Sequence, residues 1–252
     1  MAETKVQIKN KSGETLVGVE VLPDEKRDKY PVVIMAHGFA YFKEEDGLFV
    51  EVGKRLAAIG IASYRFDFSG CGESEGDYAK TTLSKLRDDL GSILEFVKSR
   101  PTTDRDRIGI WGQSFGATTT ISLSPQVRAI ALTGSFMRGK EVISNLFGDG
   151  YHPEALSIRH HSDGTETRME GQFWKDFDNH DMTARLKEIK SSLLLIHGSK
   201  DDHVPLSEME LIYEKANQPK EKVIVDGADH GLEPKREEVY DILVNWFGKQ
   251  LK

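Results

Sequence analysis

Apolar and polar residues alternate along residues 4 to 22 except around Lys11-Ser12-Gly13-Glu14, which predicts two strands joined by a glycine-containing turn. Tyr30 to Ala36 is a continuous apolar run ending at His37-Gly38-Phe39, the pattern of a strand buried on both faces. Between residues 47 and 59 the pattern changes period: Leu48, Val52, Leu56 and Ile59 share one helical face, and Gly60 follows as a stop. Ile61 to Phe68 is strand-like again and runs into Ser69-Gly70-Cys71-Gly72-Glu73-Ser74. Leu83, Leu86, Leu90, Ile93 and Val97 mark a long amphipathic helix closed by Pro101. A strand at Arg107 to Trp111, a helix after Ser114 and a strand at Val127 to Thr133 continue the alternation.

The rhythm breaks from about Met137 to Lys190, a stretch rich in glycine, histidine and charge, with a hairpin turn predicted at His161-Ser162-Asp163-Gly164-Thr165. It resumes with strands at Ser192 to His197 and Lys222 to Asp226 and a last helix around Glu237 to Leu251. Strands alternating with helices predict a mostly parallel central sheet with helices on both faces. The expected division is a core of residues 1–136 and 191–252 with a small cap inserted at 137–190, lying over one edge of the sheet.

Composition narrows the class. The 252 residues carry a net charge of −7, and no lysine or arginine cluster forms a stripe, so nucleic acid and a stable membrane association are excluded as expectations. The single cysteine, Cys71, rules out an internal disulfide, a CxxC motif and a cysteine-rich zinc site. The N-terminus MAETKVQIKN is charged and has no apolar run, from which a cytoplasmic location is expected.

In an open α/β sheet, ligands bind at the carboxyl ends of the strands. Those ends carry, in order, His37-Gly38-Phe39, Ser69-Gly70-Cys71-Gly72, Ser114, the segment His197 to Pro205 and Gly227-Ala228-Asp229-His230. Ser114 stands in Gly112-Gln113-Ser114-Phe115-Gly116. It is read either as a helix cap or as a nucleophile on a tight strand-to-helix elbow. Serine, acidic cluster and histidine occur in the chain order expected for an elbow-headed hydrolase triad. A serine hydroxyl needs an imidazole to take its proton, and the imidazole needs a carboxylate to hold its tautomer. Of the histidines that follow the acidic cluster, His203 is too close to it in sequence, which leaves His230. Asp201 and Asp202 are both candidates for the acid. The amide of Phe115 is one oxyanion donor by the geometry of an elbow, and Phe39 is the natural source of the second.

Taken together, these segments resemble an α/β-hydrolase over the whole chain. The HGF loop, the cap-sized insertion and the GADH ending are similar to bacterial feruloyl and cinnamoyl esterases and to monoacylglycerol-lipase-like esterases. Phe115 departs from the glutamine frequent in those esterases, and Cys71 from a basic residue or histidine. The resemblance selects Asp201 as the acid, three residues after Gly198 and three before Val204. It implies a cofactor-free serine carboxylesterase acting on a small ester with a short acyl or hydroxycinnamoyl group, with Ser114, Asp201 and His230 catalytic and Phe39 and Phe115 holding the oxyanion. A monoacylglycerol lipase, thioesterase or peptidase with the same three residues, and a non-catalytic receptor or scaffold, remain the alternatives. A homodimer is left open.

Asp226 and Asp229 are read as solvated or turn-capping, His37 and His197 as structural, and Cys71 as a plain loop residue. The histidines of the insertion, His152, His160, His161 and His180, match no metal-ligand spacing and are read as a solvated polar surface, with no metal. Its aromatics (Phe136, Phe147, Tyr151, Phe173, Trp174 and Phe177) are expected to divide between cap core and acyl pocket.

Overall fold

The alternating N-terminal segment forms the antiparallel strands β1 (Ala2–Lys9) and β2 (Thr15–Leu22), paired from Ala2 opposite Leu22 to Lys9 opposite Thr15. Residues 1–252 are all described in this computed structural model. The apolar runs become β3 (Tyr30–Ala36), β4 (Ala62–Phe66), β5 (Thr103–Gln113), β6 (Ala129–Thr133), β9 (Ser192–Gly198) and β10 (Lys220–Val225). They build one eight-stranded sheet in the order β1-β2-β4-β3-β5-β6-β9-β10. Only β1 with β2 and β2 with β4 are antiparallel; the remaining neighbours are parallel.

All seven residues of β3 and all five of β6 are buried, as central strands covered by helices on both faces must be. The periodic segments form α1 (Leu48–Ala58) and α2 (Leu83–Ser99). The remaining helices of the core are α3 (Phe115–Leu123), α7 (Leu206–Lys215) and α8 (Arg236–Gln250). Thr82 caps α2 by accepting the Lys85 N–H at 3.1 Å, which satisfies one of the free donors at a helix start. No helix is long and apolar enough to cross a membrane.

Residues 137–190 hold α4 (Gly139–Phe147), a hairpin of β7 (Ser157–His160) and β8 (Glu166–Met169), α5 (Gly171–Asp176) and α6 (Met182–Glu188). This segment does not lie over an edge of the sheet as expected. It leaves from β6 and returns at β9, which are paired neighbours inside the sheet, and it packs on α2 and α3. Its apolar residues, including Phe147, Met169, Phe173 and Leu186, belong to the same buried cluster as Leu90 of α2 and Ile121 of α3. Burying apolar area jointly with the main body removes any need for a core of its own.

His180 corrects a second expectation. Its side chain is 3% exposed. The ring meets Ser122 Oγ through Nδ1 at 3.1 Å, and Asp176 Oδ2 and Ser84 Oγ through Nε2 at 3.1 and 3.0 Å. An Asp–His–Ser chain of hydrogen bonds therefore ties the insertion to α2 and α3. Burial pushes Asp176 upward, but hydrogen bonds from His180 and Ser84 outweigh it and hold the carboxyl at about 2.

Candidate active site

Strand β5 delivers Gln113 to the sheet's carboxyl edge, and the chain reverses at Ser114 into α3. Ser114 has φ 53° and ψ −118°, a conformation that costs a non-glycine residue roughly 1–3 kcal/mol. The flanking glycines make it attainable. A Cβ on Gly116 would lie 2.0 Å from the Ala36 carbonyl oxygen, and one on Gly112 would lie 2.7 Å from Ala117, so neither position accepts a side chain. The helix-cap reading fails, because Ser114 makes no side-chain cap hydrogen bond.

The Ser114 hydroxyl donates instead to His230 Nε2 at 2.9 Å, and His230 Nδ1 donates to Asp201 Oδ2 at 2.8 Å. The other oxygen of Asp201 accepts the N–H groups of His203 and Val204 at 3.0 and 2.8 Å. Burial pushes the Asp201 carboxyl upward, but the His230 hydrogen bond and charge and the Val204 N–H outweigh it, and its pKa lies below the ordinary value. Asp202 is directed to solvent with its side chain 83% exposed. Gln113 braces the arrangement: its amide donates to the His230 carbonyl at 3.0 Å and its oxygen accepts from Thr133.

The N–H groups of Phe39 and Phe115 have no partner within the protein; Phe39, after β3, lines the same cavity as Ser114, and Phe115 follows Ser114 and opens α3. Their rings pack edge-on at 5.8 Å. The loop bearing Phe39 is anchored by His37, whose Nδ1 donates to the Gly38 carbonyl at 3.0 Å while Nε2 accepts the Phe68 N–H at 3.0 Å. Burial lowers His37 to about 4, so it is neutral and structural. Farther along, buried Lys43 bonds Asp67 at 2.7 Å and Glu73 at 3.0 Å, which fastens this loop to the glycine-rich loop after β4. Burial pushes the Cys71 thiol far up, which suits the plain loop residue expected there. Asp226 accepts from Ser199, and Asp229 accepts the Glu233 N–H, as turn carboxylates do.

A cavity of about 310 Å³ opens over Ser114 and His230, with Phe39, Tyr41, Leu48 and Leu146 as apolar walls. Neither the five aromatics of the insertion nor Phe136 just before it lines this cavity. They pack among themselves, as in Phe173 against Trp174 at 4.9 Å and Phe147 against Trp174 at 5.2 Å, so the expectation that some form an acyl pocket is corrected. The polar wall was missed by the sequence at Glu45, Arg159 and Arg236, which all reach this cavity, and His161, expected on the solvated surface of the insertion, lines it too. Only strand periodicity bore on any of them, since Arg159 shares a hairpin face with buried Ser157. Glu45 accepts the Gly38 N–H at 2.8 Å, and burial pushes its carboxyl up to about 8, against that hydrogen bond.

The family model described as the prolyl oligopeptidase family matches residues 78–252. An uncharacterised 31.7 kDa protein of Escherichia coli is 26% identical over 132 residues, 51% of this chain and 46% of that protein. The chain spans about half the length of the first curated relatives it matches. Among solved structures, ferulic acid-bound Est1E from Butyrivibrio proteoclasticus superposes with a TM-score of 0.86 at 21% identity, covering 97% of this chain and 98% of that one. The esterase domain of a Rhodothermus marinus protein gives a TM-score of 0.77 at 22% identity, with full coverage of both chains.

Proposed function

Since the chain belongs to the prolyl oligopeptidase family and has the α/β-hydrolase fold, we propose that it is a cofactor-free serine carboxylesterase acting on small esters. The observation that carries this reading is the unbroken line of hydrogen bonds from Asp201 through His230 to Ser114 beneath an open cavity. Ser114 attacks the ester carbonyl as His230 Nε2 takes its proton. Asp201 holds the Nδ1–H tautomer and stabilises the imidazolium. The Phe39 and Phe115 amides receive the developing oxyanion, each worth about 3 to 4 kcal/mol in the transition state. His230 then returns its proton to the leaving alcohol, and water activated by the same base releases the acid from Ser114.

A cavity near 310 Å³ lies at the small end of ligand sites, which supports a short acyl or hydroxycinnamoyl group over a long lipid chain. The likeness to Est1E and to the Rhodothermus esterase domain supports the ester over other acyl compounds, while the matched family supports a peptidase as the second reading.

A fluorophosphonate probe is expected to label the wild type and to leave Ser114→Ala unlabelled; equal labelling of both would overturn the assignment. Short p-nitrophenyl esters set beside prolyl-peptide anilides separate the two readings, with turnover of the esters expected.

A further inference from the structure

The hairpin β7–β8 directs Ser157, Arg159, Thr167 and Met169 toward the body of the protein, because Ser157 pairs with Met169 and Arg159 with Thr167 and alternate residues of a strand share a face. Three of these have a structural task or place there. Ser157 is fully buried, and its Oγ accepts the His152 N–H and the Trp174 indole N–H at 2.8 and 2.9 Å. Thr167 bonds His161 at 2.8 Å, and Met169 is part of the core.

Arg159 has no such task. Every other arginine of the chain makes a hydrogen bond or an ion pair. The Arg159 guanidinium makes neither, although it is half-buried and lines the cavity over Ser114. Burial alone acts on its pKa and lowers it, so no carboxylate lies close enough to offset the loss of water.

The neighbouring charges do not supply a partner either. Arg236 in the same wall is committed to Glu233, the Gly231 carbonyl and the Asp46 carbonyl. Asp46 accepts from Tyr41. Glu45, held up near 8, is protonated at neutral pH. His203 stands in the cavity wall with its pKa lowered by burial and by the charges of His230 and Arg159. A half-desolvated guanidinium without a counter-charge is a cost to the folded protein, and the planar fork of arginine matches a carboxylate with two parallel hydrogen bonds.

We propose that Arg159 is a specificity residue that binds a carboxylate on the substrate, so that the preferred esters are monoanionic: half-esters of short dicarboxylic acids, or esters whose alcohol carries the carboxylate. This rests on the serine esterase reading of Ser114 and names its substrate class.

The test compares kcat/KM for two charge-matched pairs in wild type, Arg159→Gln, Arg159→Lys and the control Arg168→Gln. Arg168 lies on the same hairpin but is exposed and paired with Glu166. One pair, p-nitrophenyl hydrogen glutarate and p-nitrophenyl valerate, places the charge on the acyl side; the other, 4-acetoxybenzoate and its methyl ester, places it on the leaving group. In one pair the charged-to-neutral ratio is expected to fall at least about tenfold in Arg159→Gln, equivalent to about 1.4 kcal/mol. Arg159→Lys should recover part of it, and Arg168→Gln should leave it unmoved. A ratio unchanged by Arg159→Gln in both pairs would overturn the proposal.

If no ester turns over and the fluorophosphonate leaves Ser114 unlabelled, the esterase reading has failed. Calorimetric titration with glutarate and 4-hydroxybenzoate then decides the role of Arg159 separately. Binding to wild type that Arg159→Gln loses would uphold the carboxylate site, and equal or absent binding would remove it.

Discussion

Asp201 and Asp202 are neighbours in the chain, yet the side chain of the first is 1% exposed and that of the second 83%. The difference decides their chemistry. A buried carboxylate with both oxygens engaged holds an imidazole in one orientation, whereas a solvated one interacts weakly with anything. Asp201→Asn is expected to keep the fold and lower kcat by about 10⁴-fold, because the amide favours the wrong histidine tautomer. Asp202→Asn should change kcat by less than about threefold. Steady-state kinetics on both, with circular dichroism to check folding, tests the pair, and the reverse ranking would move the acid to Asp202. Residue types in order along the chain were enough to nominate Ser114 and His230. The choice between two adjacent aspartates followed from the resemblance, since sequence carries no record of which way a loop side chain turns.

At the scale of the element, the loop from Gly38 to Gly47 matters most. Glu45 and Asp46 both have positive φ, 46° and 50°, which turns the Glu45 carboxyl back onto the Gly38 N–H. Burial is the main cause of its raised pKa of about 8, with Asp46 adding to it and the Gly38 N–H and Arg236 opposing it. Between the ordinary value of 4.5 and about 8 the folded chain holds a proton that the unfolded chain has released. Stability from this group is therefore complete below pH 4.5 and is lost as pH rises through that window. Glu45→Gln keeps an acceptor and removes the titration. Its Tm relative to wild type should rise steadily from pH 5 to pH 8.5, and a Tm difference independent of pH would show that Glu45 titrates normally. Nothing in the sequence marks Glu45, because its environment is made by residues distant in the chain, Arg236 among them.

At the scale of the whole molecule, the insertion packed on α2 and α3 is expected to limit the size of the substrate. Its aromatics pack inward on Phe39 and Phe115, with Phe39 to Phe173 and Phe115 to Phe173 separated by 5.7 and 5.9 Å, and the cavity over Ser114 measures about 310 Å³. A groove would add roughly 0.8 kcal/mol for each methylene it buried, and kcat/KM would climb with acyl length. Activity on p-nitrophenyl esters should instead peak at acyl chains of about two to six carbons and fall beyond about eight. A series from acetate to palmitate, with methyl ferulate alongside, measures this; a rise continuing to palmitate would favour a monoacylglycerol lipase.

The sequence by itself determined the alternation of strands and helices, because periods of 2 and 3.6 and the glycine and proline stops act over a few residues. Tyr30–Ala36 and the helix from Leu83 were legible for that reason. Ser114 was legible because a strained elbow admits only glycine at two flanking positions, a demand written into five consecutive letters. Tertiary structure alone decided that His180 is buried against Ser84 and Ser122, that the insertion packs on α2 and α3, and that Arg159 reaches the cavity without a partner. Each of these depends on which distant surfaces meet, and burial, desolvation and hydrogen-bond completion exist only once they have met.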